Sequence, residues 1–188
     1  TPEIESIRQS LPAMEQEQER VEMVSDNDIS IVCGDTGCGK STQVPQFLYE
    51  AGYGEHGTIA MTQPRRVAAI AIARRLGEEL NQNELVGYQV RYDRNRVTDD
   101  MKIKVMTDGI LLREVQSDFL LTKYTVLILD EAHERSINCD ILIGLLSRVV
   151  SLRKNHATLP PLKLVIMSAT LRLTDFTENE LLFRNAPP

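Results

Sequence analysis

Apolar and polar positions along this chain follow two alternating periods. Short, largely apolar runs recur at Ile29–Cys33, Thr58–Thr62, Gly87–Val90, Lys102–Thr107, Thr125–Asp130 and Leu162–Ser168, and each reads as a β-strand. Two of them, Val126-Leu127-Ile128-Leu129 and Leu164-Val165-Ile166-Met167, have no polar interruption. That is the pattern of strands covered on both faces, as in a parallel sheet. Between the strands lie helix-like segments at Leu11–Val24, Gly39–Glu50, Val67–Leu80, Gly109–Gln116 and Asp140–Leu152. Ala68-Ala69-Ile70-Ala71-Ile72-Ala73 is small enough to let its helix lie close on the sheet. Strand–helix alternation predicts a three-layer α/β domain with a mainly parallel central sheet, whose ligands bind outside the carboxyl ends of the strands. Residues 1–25 are expected to form a helical lead-in, residues 26–170 the domain itself, and residues 171–188 a tail or linker. Arg153–Pro161 reads as a polar loop ended by proline.

Composition narrows the class. A chain of 188 residues with 42% hydrophobic content suffices for one domain with a full core. No apolar run approaches the ~18–20 residues of a helical membrane span, so no membrane partner is expected. The chain opens on Thr1 without a signal-peptide pattern and reads as a segment of something longer. Cys33, Cys38 and Cys139 have neither zinc-ligand spacing nor an even count, which favours a reducing compartment. The net charge of −6 argues at first against nucleic acid. However, residues 1–30 carry eight acids against Arg8 and Arg20, so the rest of the chain is neutral overall. Within it lie basic clusters at Arg65-Arg66, Arg74-Arg75 and Arg91/Arg94/Arg96, which can meet phosphates if they share a face.

The chemistry concentrates in two places. Gly34-Asp35-Thr36-Gly37-Cys38-Gly39-Lys40-Ser41-Thr42 fits G-x-x-x-x-G-K-[ST] directly behind a strand and in front of a helix. The glycines let successive N–H groups converge on one anion, and the following helix adds its N-terminal dipole. Lys40 is placed for the β- and γ-phosphates of a nucleoside triphosphate, and the Ser41 hydroxyl for Mg²⁺. The second place is Asp130-Glu131-Ala132-His133 at the end of an apolar strand. Asp130 and Glu131 would complete the Mg²⁺ site opposite Ser41, and Glu131 could also orient and deprotonate an attacking water. His133 could report the γ-phosphate state to another surface.

These two stretches, together with Thr62-Gln63-Pro64-Arg65-Arg66-Val67-Ala68-Ala69, Thr107-Asp108-Gly109 and Ser168-Ala169-Thr170, resemble in order and spacing the first RecA-like lobe of the DEAH-box, superfamily 2 RNA helicases. The resemblance covers about residues 10–188. Connecting segments, Gly87-Tyr88-Gln89-Val90-Arg91-Tyr92, Asp140–Val150 and Asp175-Phe176-Thr177-Glu178-Asn179, are similar to the family's nucleolar branch for small-subunit ribosome biogenesis. That branch is associated with pre-rRNA processing and release of a guide snoRNA. The resemblance implies ATP, with other nucleotides accepted, and Mg²⁺ as cofactors. It implies that Gly34, Thr36, Gly37, Cys38, Gly39, Lys40, Ser41 and Thr42 hold the phosphates. Arg75 would stack on the base, a contact that reads no hydrogen-bonding edge. Glu131 would be the catalytic base. Arg65, Arg66, Arg91 and Thr107 would contact the backbone of single-stranded RNA, and Ser168 and Thr170 would couple the γ-phosphate through His133 to lobe arrangement.

The family usually has Glu, Ser and Thr where this chain has Asp35, Cys38 and Ser41. Serine keeps a hydroxyl for the metal, and Cys38 offers mainly its backbone N–H. The resemblance also implies a second RecA-like lobe bearing arginine fingers, further C-terminal domains and a possible protein activator. Without that lobe the 188 residues are expected to bind Mg²⁺–nucleotide, hydrolyse it poorly and unwind nothing. A nucleotide-binding scaffold lobe and a DNA-directed motor are the alternative readings. A kinase would need an acceptor pocket that no part of the sequence suggests.

Overall fold

The computed structural model describes residues 6, 8 and 10–169. Seven strands form one sheet: β1 (Ile29–Cys33), β2 (Thr58–Gln63), β3 (Val86–Val90), β4 (Asp93–Asn95), β5 (Ile103–Thr107), β6 (Tyr124–Leu129) and β7 (Lys163–Ser168). Their spatial order is β1-β7-β6-β2-β5-β3-β4. All neighbouring pairs are parallel except β3–β4, which closes the edge as a hairpin. Among the described residues, five α-helices with defined bounds accompany it: α1 (Glu17–Asp26), α2 (Lys40–Glu50), α3 (Arg66–Leu80), α4 (Asp108–Ser117) and α5 (Ile137–Lys154).

The uninterrupted apolar strands are buried on both faces, as their pattern predicts. Val126 and Ile128 of β6 enter one core with Val24, Val44, Leu48, Ala69, Ala73 and Leu76 from α1, α2 and α3. Their neighbours Leu127 and Leu129 enter the other, against Leu111, Val115, Leu142 and Leu146 from α4 and α5. Successive strand residues point to opposite faces, so one strand feeds two cores. Each fully buried aliphatic side chain contributes about 1.5–3 kcal/mol, and the doubly covered sheet is the rigid frame of the molecule.

Three features differ from the sequence expectation. The helix read over Leu11–Val24 is split into a 3-10 turn at Pro12–Gln16 and the α-helix Glu17–Asp26. Pro12 suits the first position of such a turn because its missing N–H has no partner to lose. The strand β4 lies in a polar, fully exposed stretch that carries no hydrophobic signal and exists only by pairing with β3. The helix read over Asp140–Leu152 starts at Ile137, because the Ser136 hydroxyl caps it by accepting from Cys139 N–H at 3.1 Å. The tail expectation for residues 171–188, the segment Asp175–Asn179 and Thr170 fall outside the described residues.

Candidate nucleotide and nucleic-acid site

Strand β1 delivers the chain into a loop whose backbone needs glycine. Gly37 and Gly39 have φ of 84° and 93°, in the left-handed region. Gly39 is also crowded, since a Cβ there would stand 3.0 Å from Leu11 Cδ1. The lead-in segment is thus a wall of this loop, and Ala13 N–H also donates to the Cys38 carbonyl at 3.2 Å. Lys40 opens α2 with its side chain folded into the loop. Its ammonium donates to the Gly34 carbonyl, to the Asp35 carbonyl at 2.8 Å and to Cys38 Sγ at 3.5 Å. Thr42 Oγ1 donates back to Gly39 O at 3.2 Å. Asp35, Thr36 and Gly37 form the exposed rim.

The acids arrive from β6, two strands away across β7. Asp130 is buried, and its Oδ1 accepts the Glu131 N–H at 2.8 Å while its Oδ2 accepts from Gln63 Nε2. Burial pushes the Asp130 carboxyl up, opposed by hydrogen bonds from Ser41, the Glu131 backbone and Gln63 and by the Lys40 charge. The Ser41 hydroxyl therefore lies near the Asp130 carboxylate. Paired hard oxygen donors of this kind fit Mg²⁺, which takes one or two protein oxygens and completes its shell with water and phosphate. Glu131 sits at φ 57°, a left-handed conformation costly for a residue with a Cβ. Its carboxyl is pushed up first by burial and then by the neighbouring Asp130.

His133 joins this group to the end of β7. Its Nδ1 accepts the Ala169 N–H at 3.1 Å, and its Nε2 lies 3.3 Å from Glu131 Oε2. An Nδ1 that accepts leaves the proton on Nε2 in the neutral ring, so Nε2–H faces the Glu131 carboxylate. Gly34 N–H donates to the Ser168 carbonyl at 3.3 Å, which ties the start of the loop to the same strand end.

The basic residues occupy the other half of the same edge. Arg65 stands at the N-terminal boundary of α3 behind β2, Thr107 at that of α4 behind β5, and Arg91 follows β3. In the sheet order, β1, β7 and β6 carry the phosphate loop, Ser168 and the acids, whereas β2, β5 and β3 carry the basic and hydroxyl residues. Arg65, Arg66 and Arg91 are exposed, and Thr107 is half-buried. The Arg91 guanidinium lies 4.8 Å from the centroid of the Tyr92 ring. Arg75 stands apart from both halves on α3, held to Glu79 at 2.6 Å.

Three contacts at the seam between the halves involve residues to which the sequence reading assigned no role. Gln63 at the end of β2 reaches Asp130, Glu134 pairs with Arg65 at 3.2 Å, and Ser136 Oγ donates to Asp108 Oδ2 at 2.9 Å. Gln63 lies inside a quoted motif, but only the β2–β6 pairing shows where its amide goes.

Comparisons with known proteins agree with this geometry. The sequence signature described as DEAD/DEAH box helicase matches residues 12–178. The chain is 56% identical to the probable ATP-dependent RNA helicase kurz of Drosophila melanogaster, covering 100% of the chain and 16% of that protein. It is 55% identical to the probable ATP-dependent RNA helicase DHX37 of Homo sapiens, over 100% of the chain and 16% of the relative. Against the probable ATP-dependent RNA helicase DHR1 of Saccharomyces cerevisiae the identity is 54%, over 99% of the chain and 16% of the relative. The chain thus spans about one sixth of the length of these curated relatives. With a phosphate loop, an Asp-Glu-Ala-His strand end and a parallel sheet that puts both on one edge, this chain belongs to the DEAD/DEAH box helicase family.

Proposed function

We propose that this chain is the ATP-binding lobe of an ATP-dependent RNA helicase. Mg²⁺–ATP would sit on the β1–β7–β6 half of the sheet edge and single-stranded RNA would cross the β2–β5–β3 half. The observation that carries the reading is the nearness of Ser41 to Asp130 at one sheet edge, which brings two motifs 89 positions apart in sequence into one set of oxygen donors. Lys40 and the loop N–H groups hold the phosphates, Glu131 accepts the proton of the attacking water, and His133 holds Glu131 toward Ala169. When bound, Mg²⁺ supplies charge neutralisation at the β- and γ-phosphates. Arg75 stacks on the base. Arg65, Arg66, Arg91 and Thr107 hold phosphates and sugars, contacts that position a strand without reading its sequence. Relatives named as RNA helicases favour RNA over a DNA-directed motor.

The segments Gly87–Tyr92 and Asp140–Val150, which resemble the small-subunit ribosome-biogenesis branch, support a finer assignment: action on pre-rRNA in the nucleolus, with release of a guide snoRNA. Turnover needs a second RecA-like lobe, with arginine fingers worth on the order of 10³–10⁵ in rate in phosphate-loop enzymes. The test is steady-state ATP hydrolysis by the full-length protein with single-stranded RNA, single-stranded DNA or neither. Stimulation by RNA and little by DNA is expected. Hydrolysis indifferent to both strands would move the reading to a nucleotide-binding scaffold.

A further inference from the structure

Glu79 is a carboxylate that the proposed function leaves without a task. It sits in the last turn of α3 with its side chain 2% exposed. A buried carboxylate has to be surrounded by donors, and three reach this one. Arg75 Nε donates to Oε1 at 2.6 Å, and Gln43 Nε2 and Gln46 Nε2 donate to Oε2 at 2.8 and 2.6 Å. The two glutamines belong to α2, the helix that grows out of the phosphate loop. Gln43 Nε2 also reaches Thr42 Oγ1 at 3.0 Å, and Thr42 Oγ1 donates to Gly39 O at 3.2 Å. A continuous polar path therefore runs from the phosphate loop to the Arg75 guanidinium. Arg8 Nε closes the far side by donating to Gln43 Oε1 at 2.8 Å.

An Arg–Glu pair at i,i+4 on a helix surface ordinarily contributes little, because both side chains stay mobile. Here Glu79 is fixed by a second helix, so the pair inherits tertiary order. Among the described residues only the Nε edge of Arg75 is engaged. Among the described residues its terminal nitrogens have no other partner, and the side chain is 40% exposed. The guanidinium plane is thus oriented by one edge and open on its faces, as a stacking surface must be.

We propose that Glu79 is a positioning residue for the nucleoside base: it sets the plane of Arg75 relative to the phosphate loop through Gln43 and Gln46. The proposal rests on the assignment of Arg75 as the base-stacking residue. Glutamine at position 79 cannot replace the carboxylate. Its single oxygen can serve either Arg75 or the two amides of α2, and its NH₂ then faces donors on the other side.

The experiment compares binding of Mg²⁺–ATP with binding of Mg²⁺–tripolyphosphate, which has the phosphates but no base, by the full-length protein. Arg75→Ala is expected to weaken ATP about 3- to 10-fold while tripolyphosphate changes less than about twofold, the scale of one lost cation–π contact. Glu79→Gln is expected to shift the same ratio in the same direction, and to add nothing once Arg75 is alanine. Equal weakening of both ligands by Glu79→Gln would mean that Glu79 merely braces α2, and would overturn the proposal. So would an effect that simply multiplies with that of Arg75→Ala. A normal Arg75→Ala loss beside an unaffected Glu79→Gln protein would overturn the Glu79 role alone. An unchanged ratio in Arg75→Ala would overturn the base-stacking assignment and this proposal with it. Tripolyphosphate binding itself reports an intact loop. Should Glu79→Gln fail to fold, Glu79→Asp, one methylene shorter and still charged, carries the same comparison.

Discussion

Glu131 occupies a left-handed backbone position beside a buried carboxylate, and both facts bear on its chemistry. A general base works only when ionised. Burial and the charge of Asp130 hold its carboxyl above the ordinary glutamate range. Turnover should therefore be complete above that raised value and fall as pH drops through it, with an acid limb displaced upward. A kcat–pH profile of the full-length protein whose acid limb lies at an unshifted glutamate would contradict the assignment. Glu131→Gln should retain Mg²⁺–nucleotide binding and lose hydrolysis by about 10²–10⁴, the worth of a positioned base; loss of binding in a titration would assign it a different role. At Lys40 the expectation is reversed. Its ammonium is buried in the loop, and a charged donor to phosphate contributes about 1.5–3 kcal/mol. Lys40→Ala should then weaken nucleotide binding about 10- to 100-fold by titration, and an unchanged affinity would count against the phosphate-loop reading.

Among the elements, the β3–β4 hairpin shows how little of an edge strand is written in hydrophobicity. Asp93–Asn95 is polar and exposed, so no alternation marks it. What fixes the hairpin is Gly87 on β3. A Cβ there would come within 2.5 Å of the Arg96 carbonyl oxygen and 2.7 Å of Met101 Sδ. Gly87→Ala must push the returning strand away, at about 1–3 kcal/mol of overpacking. Because Arg91 and Tyr92 form the turn between the strands, the substitution should reduce RNA stimulation of hydrolysis while nucleotide binding without RNA stays unchanged. If RNA stimulation survived it, Arg91 would lose its place in the nucleic-acid path. The phosphate loop was legible for the opposite reason: its glycines, lysine and hydroxyl are required by local geometry, so sequence and structure carry the same information. Helix boundaries were less legible. The start of α5 depends on the Ser136 cap, and the 3-10 turn at Pro12–Gln16 belongs to a segment packed on Gly39.

At the level of the whole molecule, stability and function separate by edge. Arg153, at the end of α5 and fully buried, donates to the carbonyls of Leu120, Leu121, Tyr124 and Pro160. It joins two loops at the edge opposite the phosphate loop. Arg153→Met would leave several buried acceptors unpaired at about 1–3 kcal/mol each. For a domain of this size a loss of about 3 kcal/mol lowers Tm by about 6–12 °C. Calorimetry should show that fall, and nucleotide affinity measured well below Tm should not change. A Tm within a degree or two of the parent protein would mean that water replaces the guanidinium at those carbonyls.

The sequence by itself determined the alternation of strands and helices, the double burial of β6 and β7, the phosphate loop and the acids of the Asp-Glu-Ala-His stretch. Each is set by a local period or by a local backbone demand. Tertiary structure alone decided the order β1-β7-β6-β2-β5-β3-β4, and with it the division of one sheet edge into two halves. Strand order follows from which crossovers bury the most apolar surface, a sum over residues far apart in the chain. The contacts that join the halves, Gln63 with Asp130 and Arg65 with Glu134, are therefore invisible until the strands are set side by side. The same holds for Glu79. A glutamate four residues after an arginine is common on any helix, and only the arrival of Gln43 and Gln46 from α2 buries it and makes it specific.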